Sequence, residues 1–540
     1  MSAVSRTTSH IRNDKLERLV VGRGSSDSSK IQHAMVLESL ELSLSHGSNV
    51  RSIAEEASQA IGTRSEGYTL LVPADGSSAL LSANSTLGLL RGLTTFEQLW
   101  YEWSGDTYTL EAPISIADSP AYPYRGFMLD TARNFFPVAD IKRTLDAMSW
   151  VKMSELHWHV VDSQSFPLEV PGFTELASKG AYSSSMVYTA SDVQDIVAYA
   201  GARGIDVMVE IDTPGHTAII SASHPEYVAC AQASPWADFA NEPPAGQLRL
   251  ASSATTNFTA SLLGAVAKMF PSRVMSTGGD ELNTNCYMQD AETQAELNAT
   301  GRTLEQALDV FTRTTHAAIE QEGKTPAVWE EMVLDHNVTL SNETLVLVWI
   351  SSANAAAVAA KNFRIVHSPS DYFYLDCGAG EWIGDDVANS WCDPFKTWQK
   401  SYTFDPLANL TEDQTHLVLG GTFIHASYSC TSAHPLSGQQ LLWTEQSSPA
   451  NLDSIVWPRA ASSAEVFWSG PGGNLSTALP RLHDIAFRMR QRGVNAIPLQ
   501  PLWCHCGLGS VISIRRAACE SEILGHAMLL FCLLSCSVLL

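Results

Sequence analysis

A chain of 540 residues exceeds one typical domain, so a large domain of roughly 250 to 350 residues with a smaller companion is expected. Its 45% hydrophobic and 17% charged content excludes a disordered chain and describes an aromatic-rich globular protein. The formal net charge of −24 excludes a binder of phosphate backbones, so no nucleic-acid partner is expected and a neutral substrate fits better.

Met1 to Lys30 is polar and lacks the apolar core of a signal peptide, so residues 1–30 read as a truncated or mis-started N-terminus without stable order. Residues 31–118 read as a small mixed α/β domain. Strands are expected at Tyr68 to Pro73 and Ala79 to Ala83, and Leu89, Leu93, Phe96 and Trp100 recur at helical spacing within Leu87 to Trp100. The turn-rich Asp118 to Pro123 is a linker. From Arg125 onward, eight apolar runs of strand length alternate with helical segments: Gly126 to Asp130, Glu155 to Asp162, Ile205 to Asp212, Arg273 to Glu281, Ala327 to Glu331, Leu345 to Ile350, Phe363 to His367 and Gln439 to Glu445. Ser191 to Gln194 and Thr303 to Gln306 fit the capping box that starts a helix, and Ala353 to Lys361 is alanine-rich. Near-continuous apolar strands separated by helices predict a (β/α)8 TIM barrel over residues 119–504, with its active site at the C-terminal strand ends.

The sharpest motif is Ser276-Thr-Gly-Gly-Asp-Glu281, in which two glycines let backbone approach a ligand before adjacent carboxylates are presented. Alone, Asp280 and Glu281 could simply cap the following helix. Three other strand ends also carry polar groups: Arg125 to Arg133, His157 to Asp162, and Glu210 to His216. Each by itself could be a buried ion pair; together they favour a polar pocket.

These runs resemble the signature segments of glycoside hydrolase family 20 β-N-acetylhexosaminidases of fungal type, in order from about Tyr68 to Cys504. The resemblance implies a retaining exo-enzyme that removes terminal N-acetylglucosamine or N-acetylgalactosamine from chitooligosaccharides or glycoconjugates. In that family the sugar's own 2-acetamido oxygen is the nucleophile. Carried over by position, Glu281 is the general acid/base, expected to have a raised pKa in an enclosed site, and an anionic Asp280 with Tyr374 orients the acetamido group. Arg133, Asp376 and Glu445 match residues that bind sugar hydroxyls, while Trp329, Trp349 and Trp443 match aromatic walls. Asp162 and His216 match a supporting relay. Cys230 and Cys286 match a family disulfide, and Cys377 and Cys392 bracket a loop and form a second expected pair. No cofactor or metal is implied. Dimerisation is common in the family, which makes a homodimer an expectation.

The sequence departs from the family where Gly421 to Ser437 interrupts the last strand, putting the positions of Trp443 and Glu445 in question, and where residues 505–540 replace the usual ending. Within that tail Ile523 to Leu540 is apolar enough for a lipid-anchor signal or a marginal span, so membrane contact depends on it. Seven Asn-X-Ser/Thr sequons (Asn84, Asn257, Asn298, Asn337, Asn342, Asn409, Asn474) and ten cysteines point to an oxidising secretory route and a secreted or cell-wall location. Two rival readings are a metal-dependent amidohydrolase using His157 and His159, which would share a strand face, and an inactive carbohydrate-binding protein.

Overall fold

All eight apolar runs become strands of one closed parallel barrel, and the short unit that precedes it is a separate four-stranded sheet. The computed structural model describes residues 2–20, 22–45, 50–378, 391–418 and 437–499. In chain order the elements used below are α1 (Ala3–Asn13), β1 (Leu40–Leu44), β2 (Tyr68–Val72), β3 (Ala79–Ala83), α2 (Thr86–Gln98), β4 (Ile114–Asp118), β5 (Tyr124–Asp130), α3 (Val138–Trp150), β6 (Glu155–Val161), α4 (Ala190–Gly201), β7 (Asp206–Ile211), α5 (Ser253–Ala267), β8 (Val274–Ser276) and α6 (Thr284–Gln289). There follow α7 (Leu304–Gln321), β9 (Thr325–Trp329), α8 (Glu331–Leu334), β10 (Leu345–Val348), α9 (Ala355–Ala360), β11 (Arg364–His367), β12 (Ser437–Leu442), α10 (Arg459–Ser469) and α11 (Leu475–Gln491).

The first sheet runs in the order β1-β3-β2-β4, with α2 against its inner face through Leu93 and Phe96. β2 and β3, the strands expected from sequence, bury alternate residues. β1 is not among the expected strands although Leu40, Leu42 and Leu44 alternate with Glu41 and Ser43, and it is mostly exposed. Residues 1–30, expected to lack order, instead contain α1. Ser2 caps it, and Asp14 at its far end is buried against Arg488 (3.1 Å) and Arg492 (2.7 Å) of the C-terminal region. A polar segment can be ordered when its charges find long-range partners, and hydropathy does not register those.

The barrel closes where β12 pairs with β5, from Ser437 opposite Tyr124 to Leu442 opposite Leu129. β5, β6 and β7 are buried along their whole length, as strands covered on both faces must be. Three sequence expectations are corrected. Ser437 belongs to β12 rather than to the interruption that begins at Gly421; residues 419–436 lie outside the described residues. β8 stops at Ser276, because the glycines beyond it turn the backbone to positive φ. The cap of α4 is Thr189 with Asp192, two residues before the expected Ser191-Gln194 pair, whereas the Thr303-Gln306 box is present at α7. Cys230–Cys286 and Cys377–Cys392 are both disulfides. Among the described residues no helix is long and apolar enough to cross a membrane, and residues 505–540 lie outside them.

The small sheet and the barrel floor share a buried charge cluster. Glu66 accepts from Arg91 (2.7 Å) and Arg125 (2.5 Å), and all three are buried. Burial alone would raise the Glu66 carboxyl, but Arg125 and Arg91 outweigh it and hold it at about 2, from an ordinary 4.5. A depressed carboxylate contributes stability above its unfolded pKa, and that contribution is lost as pH falls from 4.5 toward about 2. Glu66→Ala leaves two buried guanidinium groups uncompensated, which should cost about 3–5 kcal/mol. Chemical denaturation at neutral pH measures it; an unchanged midpoint would show that the cluster does not join the two units.

Candidate active site

The chemistry collects at the C-terminal ends of β5 to β12. At the end of β5, Asp130 holds the turn: its Oδ1 accepts from the Ala132 and Arg133 amides, and its Oδ2 accepts from Thr444 beyond β12. That link fixes the two ends of the barrel seam against each other and brings Arg133 into the mouth. The Arg133 guanidinium pairs with Asp162 (2.9 Å) and Glu242 (2.9 Å), lies 3.8 Å from Glu445, and stacks 5.0 Å above the Trp443 ring. Trp443 and Glu445 therefore stand beside Arg133 despite the interruption that precedes their strand.

His157 and His159 alternate with outward residues on β6 and both point into the barrel. They divide one carboxylate: His157 Nε2 is 3.0 Å from Glu210 and His159 Nδ1 is 2.5 Å from it. Their other nitrogens meet Gln439 (3.2 Å) and Asp162 (2.9 Å). Both rings are hydrogen-bonded at both nitrogens, and among the described residues His159, with Glu210 and Asp212, stands close enough to carboxylates to hold a metal ion whereas His157 does not, so the two histidines are not the chelating pair on which the amidohydrolase reading rested.

After Ser276 the chain makes a tight turn through Gly278 (φ 66°), Gly279 (φ 97°) and Glu281 (φ 53°). A Cβ on Gly278 would fall 1.8 Å from Asp212 Oδ1, and one on Gly279 would fall 2.5 Å from Met332 Cγ. Glycine is therefore obligatory at both positions. Glu281 has no such excuse and sits in a sparsely populated region, as residues at functional sites do. The helix-cap alternative fails, because α6 takes its cap from Asn283, whose side chain accepts from the Cys286 amide. Asp280 and Glu281 turn instead toward His216, whose Nε2 lies 3.7 Å from Asp280 and 3.4 Å from Glu281, while its Nδ1 lies 3.2 Å from Asp162.

Charges in this group are strongly shifted. Burial disfavours an imidazolium at His216, but Asp162, Asp280 and Glu281 together raise it well above its usual range. Burial also raises Glu281, yet the hydrogen bond and charge of His216, aided by Asn241 and Arg133, bring it below the ordinary value. The expected upward shift of Glu281 is thus reversed, because the adjacent imidazole favours its charged form. Asp280 goes the other way: burial and the neighbouring Asp212 carboxyl push it well above the usual range against the pull of His216.

The far side is aromatic. Trp349 donates its indole N–H to Glu331 (2.8 Å) and stacks on Tyr374 at 6.2 Å with rings 11° apart. Trp443 packs between Tyr374 (6.3 Å) and Trp329 (6.1 Å). Trp329 itself has no exposed surface; it backs Trp443 and His157 instead of facing open space. Asp376 accepts from the Trp443 amide at 3.4 Å, and burial pushes its carboxyl up to about 7.

Four residues here were not singled out from sequence. Asp212 lies inside the run ending at His216, and Glu331 two places after Trp329, so both were adjacent to recognised motifs. Glu242, in Asn241-Glu-Pro-Pro244, and Trp391, which packs edge-on to Trp349 (5.5 Å) and Tyr374 (5.9 Å), stand in loops with no periodic signal. A groove of about 1170 Å³ lies elsewhere, between α4, α5 and α7 on the outside of the barrel. The one carboxylate in its lining, Glu322, is ion-paired with Lys268 at 3.3 Å, so the converging carboxyls and imidazole assign the site to the strand ends.

The chain is similar to known proteins over most of its length. The Glycosyl hydrolase family 20 catalytic domain matches residues 122–471, and a beta-acetyl hexosaminidase like domain matches residues 1–99. A beta-hexosaminidase of Arthroderma benhamiae is 34% identical over 84% of this chain and 74% of its own length. A chitooligosaccharidolytic beta-N-acetylglucosaminidase of Bombyx mori is 32% identical, covering 82% of this chain and 74% of that protein. Among solved structures, Flavobacterium johnsoniae chitobiase has a TM-score of 0.66 at 27% identity, covering 81% of this chain and 61% of that one. The beta-N-acetylhexosaminidase of Streptomyces coelicolor has a TM-score of 0.63 at 25% identity, covering 86% and 85%.

The imidazolium at His216 rests on Asp162, whose own carboxylate is held well below its usual range by Arg133 and His216 despite burial. Asp162→Asn should therefore lower the His216 titration midpoint and let Glu281 rise. Nuclear magnetic resonance of ring-labelled histidine reads the first shift directly, and an unmoved midpoint would remove Asp162 from the relay.

Proposed function

The chain belongs to glycoside hydrolase family 20 and is a β-N-acetylhexosaminidase releasing terminal N-acetylglucosamine from oligosaccharides, and on that premise we propose roles for the individual residues of its site. The observation that carries the assignment is the Asp162-His216-Glu281 line, with Asp280 on the same imidazole. Glu281 is the acid that protonates the departing glycosidic oxygen. His216, 3.4 Å away with its imidazole raised well above its usual range, is placed to supply that proton. As the C1–O bond breaks, the sugar's acetamido oxygen closes on C1 and the amide nitrogen gains positive charge. Asp280 accepts that N–H and faces the developing charge, and Tyr374 donates its hydroxyl to the acetamido oxygen to hold it in line. Glu281, now a carboxylate, takes a proton from the water that reopens the ring at C1, so the β-configuration is retained.

Arg133 with Asp376 and Glu445 supplies donors and acceptors for the ring hydroxyls, and such polar groups reject sugars that leave them unpaired. Trp349, Trp443 and Tyr374 supply apolar surface around the acetamido methyl, with Trp329 as the buried backing of that wall. The inactive carbohydrate-binding alternative is opposed by the retained acid, relay and orienting carboxyl, which simple sugar binding does not require.

We also infer a secreted protein. Two disulfides support this, as does the exposure of all seven sequon asparagines, including Asn257 and Asn298 on helices and Asn474 at the start of α11. Expressed through a eukaryotic secretory route, the protein should lose mass on treatment with a peptide N-glycosidase. An unchanged mass would remove the sequons from the argument.

Glu281→Gln should lower kcat on p-nitrophenyl N-acetyl-β-glucosaminide by ~10²–10⁴-fold with little change in KM, the usual contribution of a positioned acid/base. A wild-type rate overturns the assignment. Asp280→Asn should lower kcat by ~10²–10³-fold on the same substrate, as loss of charge stabilisation in the transition state does. No loss there would mean that the acetamido group is not the nucleophile.

A further inference from the structure

We propose that Asp212 is a positioning residue of this hydrolysis: its carboxyl shares one proton with Asp280 in the empty pocket and keeps that proton when the sugar arrives, which leaves Asp280 free to accept the acetamido N–H. The inference rests on the role given to Asp280 above and adds the partner that makes the role workable.

Asp212 directly follows β7 and is 1% exposed. Its Oδ1 accepts from the Gly279 amide at 2.8 Å, and the absence of a side chain at Gly278 is what lets the carboxyl lie under the turn. The group is therefore fixed from below to the very peptide that carries Asp280. Its other oxygen, Oδ2, meets no donor, and neither does Asp280 Oδ1. Both are oxygens of buried carboxyls, and a carboxyl oxygen of each lies within 4.8 Å of the other and of a His216 nitrogen. Two carboxylate oxygens repel; a carboxyl and a carboxylate bond strongly through a single proton.

The surrounding charges do not permit two anions. Asp212 faces His216 from its own loop, Glu210 from β7 and His159 from β6, with Asp280 across the turn. Asp280 faces Asp212, His216, and Glu331 from α8. Glu210 is already occupied by His157, His159 and Ser276. Among the described residues the imidazoles facing the pair are His216, engaged also by Asp162 and Glu281, and His159, engaged by Glu210 and Asp162. Burial raises both members of the pair, in agreement with one retained proton.

When the acetamido N–H enters, it donates to Asp280. The shared proton then resides wholly on Asp212, which donates it back to Asp280 as a hydrogen bond. No proton leaves the pair and no other bond changes. Asp280 reaches the transition state as an anion oriented by one donor below and one above, the arrangement that stabilises charge on the cyclising amide. Asp212, His216 and Asp280 also lie close enough together for a metal ion, all ligand atoms falling within 4.8 Å, so a bound cation is the competing occupant to be tested.

The test compares Asp212→Asn with Asp212→Ala in the full chain, on p-nitrophenyl N-acetyl-β-glucosaminide across pH. The asparagine amide accepts from Gly279 and donates to Asp280 at all pH values, and so reproduces the protonated form of Asp212. Asp212→Asn should keep kcat within about tenfold of wild type with the acidic limb of the profile in place. Asp212→Ala, which strips Asp280 of its donor, should lose ~10²-fold or more in kcat and move the acidic limb to higher pH. Equal damage in the two variants, with both retaining wild-type thermal unfolding, would overturn the proposal, because Asp212 would then act as a charge. Wild-type activity that falls on chelation and returns with a divalent cation would also overturn it. An inactive wild type would instead sink the assignment of Asp280 itself, so the two failures are distinguishable.

Discussion

Negative charge buried at the mouth of a closed barrel is the constraint from which the rest of this site follows. Asp130, Asp162, Asp212, Asp280, Glu281, Glu331, Asp376 and Glu445 converge there, and among the described residues the positive groups facing them include Arg133, His216, His159 and Arg459. Isolated buried carboxylates are too unfavourable to persist, so each must be paired, hydrogen-bonded or protonated. Asp130 accepts from backbone and hydroxyl donors, and Asp162 is paired with Arg133, His216 and His159. Asp280, Glu331, Asp376 and Glu445 are pushed upward by burial and retain protons far more readily than free carboxyls. Glu281 alone among the reacting pair goes down, because it lies against the imidazolium. Two adjacent carboxyls with opposite shifts are the usual sign of divided roles.

The barrel was legible because its strands are short, apolar and ended by polar residues, a pattern that survives without any tertiary information. The small sheet was half read: β2 and β3 were recognised, whereas β1 and β4 alternate over five residues each but bury too little to be picked out. What could not be read was anything that depends on partners distant in sequence. The order of α1 comes from Asp14 meeting Arg488 and Arg492, almost the full length of the chain away. The commitment of His157 and His159 to Glu210 is equally invisible, which is why a metal pair was a reasonable alternative.

Within the site, the residues read from sequence come together, whereas the directions in which the Asp280 and Glu281 carboxyls shift run opposite to the reading. Asp280, Glu281, Tyr374, Arg133, Trp349, Trp443, Asp376 and Glu445 are all gathered at one end of the barrel. Trp329 is gathered too but stands behind the wall. The expected proton on Glu281 and anion on Asp280 were inferred from what the reaction needs at its transition state. The shifts run against that reading: burial and Asp212 raise Asp280, while burial raises Glu281 but His216 brings it down. The acetamido N–H, donating to Asp280, is the group chemically equipped to favour its anion.

The pairing of β12 with β5 begins at Ser437, the end of the strand remote from Trp443. The chain thus enters its last barrel strand on the face opposite the pocket, and the register there is fixed by six backbone pairs and by the Tyr124 hydroxyl on Gln439 (2.7 Å). Closing a connection grows only logarithmically more expensive in entropy with its length, roughly 0.6 kcal/mol for each doubling. Additional residues before β12 are therefore a modest entropic load on the floor of the barrel, and the geometry of Trp443 and Glu445 at its mouth is set independently of how many residues the chain spends getting there.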